Sequence, residues 1–146
     1  VGRPHVAQAM VERGYVHETK EAFDKYIGRS CPAYVEREKM TPPESIKLIK
    51  SWGGVPVLAH PIYIPNLESV LGEMVDAGLV GMEVYYAKCT PEQIDHIARL
   101  AEEYSLLPCG GSDYHGTDAK DEPLPGAMGP SLEVVEQLRH LATAGN

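Results

Sequence analysis

From Pro4 to Trp52 the apolar residues recur three and four positions apart, a helical rhythm broken by glycine and proline. Pro4 suits a first helical turn, and Val6, Ala9 and Met10 share one face before Gly14. A second helix is predicted from Thr19 to about Ile27, carried by Ala22, Phe23, Tyr26 and Ile27 and stopped by Gly28. A loop through Pro32, Tyr34 and Val35 follows. Thr41-Pro42-Pro43-Glu44 then opens a third helix as a capping box, hydroxyl and carboxylate each satisfying an orphan backbone donor. Its apolar face is Ile46, Ile49 and Trp52, and Gly53-Gly54 ends it.

Beyond Gly54 the rhythm changes. Short apolar runs at 55–59, 81–85 and 106–110 alternate with helical patterns, which predicts βαβ units with parallel strands. The intervening helices carry Leu67, Val70, Leu71, Met74 and Val75, then Ile94, Ile97, Ala98, Ala101 and Tyr104. Thr90-Pro91-Glu92-Gln93 is a second capping box. A last helix runs from Ser131 to about Ala142 with Leu132, Val135, Leu138 and Ala142, after a Pro/Gly-rich stretch from His115 long enough for a lid or rim loop. The fold class is α/β. Three parallel strands leave open edges, so further strands are expected from elsewhere.

Composition narrows the partners. The chain has 146 residues, 43% apolar, with a formal charge of −8, which repels duplex nucleic acid and anionic membrane at long range. It does not repel an anionic substrate held beside a divalent ion. No apolar run approaches the roughly 18–20 residues of a membrane span. Cys31, Cys89 and Cys109 are odd in number and lack CxxC spacing, so no disulfide framework is expected and a cytoplasmic setting is the default. The chain opens at Val1 without methionine, which reads as a fragment. No GxGxxG or Walker loop, no GxSxG elbow and no basic-aromatic pattern is present.

In parallel α/β folds chemistry collects at the carboxyl ends of strands, which selects His60, Tyr85 to Lys88 and Ser112 to His115. Asp113 and His115 flank Tyr114; on an extended chain both point to one side, and their oxygen and nitrogen suit zinc, manganese or iron. The plainer reading is a loop with Asp113 capping a turn. Gly110-Gly111 would let backbone approach an ion closely. His60, before Pro61, is either a ligand at the same rim or a buried hydrogen-bonding residue. Glu83 is either an anchor for the site or an ordinary outward strand residue. Arg3 and His5 flank a helix start, a plausible phosphate site or simply an exposed terminus. Arg29, Arg37, Lys39 and Lys88 read as solvated charges, any of which could touch a phosphate, and His17, His96 and His140 as surface residues. The cysteines read as packing residues, with Cys89 nearest the strand ends.

The ordered segments Gly2-Arg3-Pro4-His5-Val6-Ala7, Ala33-Tyr34-Val35, Thr41-Pro42-Pro43-Glu44-Ser45-Ile46, Gly53 to Pro61 (with Ala59-His60-Pro61), Gly81-Met82-Glu83-Val84-Tyr85-Tyr86 and Gly111-Ser112-Asp113-Tyr114-His115 carry a resemblance. The chain resembles the carboxy-terminal half of the PHP (polymerase and histidinol phosphatase) metal-dependent phosphoesterases. Its nearest subgroup is that of the nucleoside 3′,5′-bisphosphate phosphatases and 5′→3′ exoribonucleases. The resemblance implies a partial distorted (β/α)7 barrel at 41–146, preceded by a small helical insertion at 1–40. It implies up to three divalent ions (Mn, Zn or Fe), with His60, Asp113 and His115 as metal ligands and Arg3 and His5 binding substrate. The substrate class implied is a phosphate monoester of a nucleotide or short oligonucleotide. The family's amino-terminal half supplies a His-x-His pair and further ligands that this chain lacks, so that half is the expected partner. Where relatives often have histidine, this chain has Cys89. A PHP-like regulatory module without metals is the alternative, and an amidohydrolase-like barrel a third reading.

Overall fold

The apolar run at 55–59 yields only a two-residue strand, β1 (Val57–Leu58), hemmed in by Pro56 and Pro61. β2 (Gly81–Tyr86) and β3 (Leu107–Gly111) are longer. The three are parallel, in the order β1-β2-β3, with Val57 opposite Gly81 and Gly81 opposite Leu107. The computed structural model describes residues 2–36, 39–116 and 123–144. Arg37 and part of the expected rim loop lie outside them.

The chain divides into two compact units, Val1–Lys39 and Met40–Asn146. In the first, α1 (Arg3–Glu12) and α2 (Thr19–Ala22) close on a small core of Ala7, Val16, Ala22 and Ile27. The buried residue of α1 is Ala7, with Met10 and Val11 against the same cluster, while Val6 stays 42% exposed; the inward stripe is one position away from the expected one. The second predicted helix does not stay regular. After Ala22 it widens into a π-helical turn, Phe23–Ile27, closed by the Gly28 N–H donating to the Phe23 carbonyl at 2.9 Å. A Cβ at Gly28 would stand 2.2 Å from that oxygen, so glycine is what allows the wide turn.

In the second unit, both capping boxes form as the spacing predicts. Thr41 opens α3 (Pro42–Ser51) and Thr90 opens α5 (Pro91–Glu103), each donating its N–H to the side chain three residues on, at 2.7 and 2.8 Å. α4 (Leu67–Asp76) and α5 cover β2. Leu71, Met82, Val84 and Ile97 are fully buried between them, with Ile46, Leu67, Met74 and Leu100 around. Removing a side chain such as Met82 from this centre costs about 2–5 kcal/mol. Two expected faces are corrected: Trp52 and Ile49 are exposed, leaving Ile46 alone inside from α3, and α6 (Leu132–Ala144) buries Val134 while Leu132 stands in solvent. Among the described residues no helix is long and apolar enough to cross a membrane.

Candidate metal centre

β1 delivers His60 to the carboxyl end of the sheet, and there the chain takes a left-handed turn: His60 has φ +51° before a short 3₁₀ turn, Pro61–Tyr63. Such a backbone is uncommon for a residue with a Cβ and persists only where neighbours hold it. Glu83 does so. Its Oε2 accepts the His60 backbone N–H at 2.7 Å and stands 3.3 Å from the ring's Nδ1. That second approach is not aligned as a hydrogen bond, so Nδ1 is buried without a hydrogen-bond partner. Of the two readings for Glu83, the structure gives the anchor.

Tyr86 packs its ring edge-on to His60, centroids 5.1 Å apart, although alternation along β2 would turn residues 83 and 86 to opposite faces. The sheet register shifts between Glu83 and Tyr85, a bulge that lies between the two residues touching His60. The bulge rests on Gly110, opposite Tyr85, whose carbonyl would lie 2.3 Å from a Cβ there. Gly110 thus makes room for the neighbouring strand.

Asp113 follows β3 in the same left-handed conformation, φ +56°, so the chain is not extended there and alternation does not align Asp113 with His115. They meet by another route. The His115 ring folds back so that Nδ1 lies 2.6 Å from the Asp113 carbonyl oxygen and 3.9 Å from Oδ1. A carbonyl only accepts, so Nδ1 carries the proton, which in the neutral ring leaves the lone pair on Nε2, the arrangement common for a metal-ligating histidine. The Asp113 carboxylate accepts from the buried Tyr86 hydroxyl at 3.1 Å and from Lys88 Nζ at 3.2 Å, both through Oδ2. Lys88 holds its pKa below the usual carboxylate range, with Tyr86 and His115 adding to the effect. Burial pushes the Tyr86 hydroxyl up, and its contacts with Tyr63 and Asp113 act in the same direction. Lys88 is solvent-exposed as read, and it is also paired, with Nζ 5.6 Å from the centre of the Tyr86 ring.

One tyrosine therefore joins the two predicted ligand sites at a single rim, His60 against its ring and Asp113 on its hydroxyl. Imidazole nitrogen and carboxylate oxygen are donors for zinc, manganese or iron, and the orphaned Nδ1 marks a polar atom whose partner is missing. Among the described residues, however, no three His, Cys, Asp or Glu side chains stand close enough to enclose an ion. The donors come as two pairs, His60 with Glu83 and Asp113 with His115. They fit a share of a metal centre.

Arg3 and His5 belong to the first unit. The Arg3 guanidinium lies over Phe23 and Tyr34, 5.9 and 5.6 Å from the ring centres, and reaches the Ile27 carbonyl at 3.5 Å. His5 Nδ1 accepts the Gly2 N–H at 3.1 Å. His17 and His96 keep to the surface as read, His96 3.5 Å from Glu68. The Cys89 and Cys109 thiols are pushed up first by burial and then by Glu83, which keeps them protonated at neutral pH. A groove of about 680 Å³ runs between α6 and the amino ends of β2 and β3, lined by Leu79, Leu107, Glu133 and His140, at the far end of the strands from His60 and Asp113. Tyr86 is the residue that sequence reasoning missed. Its one signal was its place at the end of a buried strand, inside a segment already selected.

No family profile matches the chain. It is 34% identical over 119 residues to a 5′-3′ exoribonuclease of Haemophilus influenzae, covering 79% of this chain and 43% of that protein. It is 27% identical over 119 residues to a 3′,5′-nucleoside bisphosphate phosphatase of Chromobacterium violaceum, covering 79% of this chain and 42% of that one. A crystal structure from Bifidobacterium adolescentis, provisionally named a metal-dependent phosphoesterase, superposes with TM-score 0.76 at 28% identity over 97% of this chain and 50% of its own. The chain spans less than half the length of these curated relatives.

Proposed function

From a chain homologous to the carboxy-terminal half of PHP-type metal-dependent phosphoesterases, we propose that its protein hydrolyses a phosphate monoester of a nucleotide or short oligonucleotide, of the 3′,5′-bisphosphate type. The reading has the described second unit as the closing βα units of a distorted (β/α)7 barrel and the first as a helical insertion. The barrel's remaining strands and ligands come from the amino-terminal half. His60, Asp113 and His115 take part in holding up to three divalent ions, manganese, zinc or iron, and Arg3 and His5 receive a substrate phosphate. The setting is cytoplasmic.

The observation that carries this reading is the rim where Tyr86 joins His60 to Asp113. A divalent ion held there supplies an acidified water as nucleophile and a clamp on the phosphoryl oxygens. The chain's own residues prepare the place. Glu83 fixes the His60 backbone, the Tyr86 hydroxyl orients Asp113, and the Asp113 carbonyl sets the His115 tautomer. Outer partners of this kind are worth about 10–100-fold in metal affinity.

Phosphate release from adenosine 3′,5′-bisphosphate with added Mn²⁺ tests the proposal, comparing the full-length protein with its His60→Ala/Asp113→Ala variant. The expected result is Mn²⁺-dependent turnover that the double substitution lowers by at least about 1,000-fold. Equal rates would remove the assignment. A full-length protein that carries no metal and turns nothing over would support the regulatory module instead.

A further inference from the structure

The geometry points to Lys88 as a substrate-phosphate ligand that rests on Asp113 until the site is loaded, a role that deepens the function proposed above. Lys88 sits on the loop between β2 and α5, at the same rim as His60 and Asp113. Its Nζ shares Asp113 Oδ2 with the Tyr86 hydroxyl and lies 5.6 Å from the Tyr86 ring centre, so the ammonium is held at the site. Its side chain is 58% exposed, so nothing packed around it prevents it from swinging away. A cation bound at Asp113 would repel the ammonium and compete for the same oxygen. Displaced from Asp113, the ammonium stays at the rim that a substrate phosphate would enter, where its charge favours an anion.

The neighbouring helix start does not offer a rival phosphate site. Pro91 has no N–H, and the capping box engages the Gln93 N–H on Thr90 Oγ1 at 3.3 Å and the Thr90 N–H on Gln93 Oε1 at 2.8 Å. Glu92 adds a negative charge in that first turn. Anion recognition on this loop therefore falls to the lysine, whose four-carbon stem spans two positions, on the carboxylate and over the substrate.

The test compares the full-length protein with Lys88→Met and Lys88→Arg. Calorimetry of inorganic phosphate binding to the Mn²⁺-loaded protein is the first readout, and KM for adenosine 3′,5′-bisphosphate the second. Loss of one charge-assisted contact predicts phosphate affinity weaker by about tenfold in Lys88→Met, a matching rise in KM, and recovery of most of both in Lys88→Arg. Mn²⁺ affinity in Lys88→Met should be equal to or tighter than that of the parent, because Asp113 Oδ2 has lost a competitor. Phosphate affinity within twofold of the parent overturns the inference, even with tighter Mn²⁺ binding, because Lys88 would then only guard the carboxylate. A parent protein that binds phosphate without hydrolysing nucleotide would overturn the proposed function and leave the calorimetric result for Lys88 standing.

Discussion

Asp113 shows how much a few contacts decide. Two donors meet one of its oxygens, and the Lys88 ammonium is the larger influence on its acidity. In metal-free protein, Lys88→Met should therefore raise the Asp113 pKa toward the ordinary carboxylate value, read by carbon NMR of the side chain across acid pH. The sign follows from the depressed folded value. The stabilisation is present above the unfolded pKa and lost as pH falls through the folded one, so the parent should keep it to lower pH than the variant. An Asp113 titration unmoved by the substitution would mean the pair does not persist in solution. Glu83 permits a second prediction at this scale. Its carboxylate holds the His60 backbone in a left-handed conformation, so Glu83→Ala should weaken Mn²⁺ binding by about tenfold in calorimetry. Unchanged affinity would mean that His60 keeps its place without it.

At the level of elements, the bulge in β2 lies between the two residues that touch His60, and a glycine in the next strand leaves room for it. Gly110→Ala would place a Cβ 2.3 Å from the Tyr85 carbonyl, whereas Gly111→Ala meets nothing within 4 Å. Chemical denaturation of the two variants should show a loss of about 2–4 kcal/mol for Gly110→Ala and under about 0.5 for Gly111→Ala. Equal losses would contradict the bulge. The same detail explains what sequence reading could reach. The βα alternation, both capping boxes and the rim carrying His60 and Asp113 are local patterns of apolar spacing and hydroxyl-carboxylate pairs, and they stand in the structure where those patterns put them. The bulge is a pairing property of two strands, invisible along either, and the convergence of Glu83 and Tyr86 on His60 is likewise a tertiary contact. The left-handed turns at His60 and Asp113 were hidden for a related reason. Extended continuation is the default beyond a strand, and only tertiary contacts overrule it. The misjudged faces of α1 and α6 differ by one or two positions, where adjacent apolar residues, Val6-Ala7 and Val134-Val135, leave the inward one ambiguous along the sequence.

Across the whole molecule, the donors at the rim come as two pairs bridged by a tyrosine, on a chain spanning less than half of its curated relatives. Ion binding that unites such pairs stabilises the folded protein by mass action. At Mn²⁺ about 100 times its dissociation constant, the full-length protein should gain about 2.7 kcal/mol against unfolding, and the His60→Ala/Asp113→Ala variant much less. A gain equal in both would place the ion elsewhere. The most direct test of the central claim is anomalous X-ray diffraction from crystals of the full-length protein grown with Mn²⁺. The account predicts anomalous peaks at the Tyr86 rim, with His60, Asp113 and His115 each within about 2.0–2.3 Å of an ion. Peaks coordinated entirely by other residues, with these three left to their present partners, would contradict it.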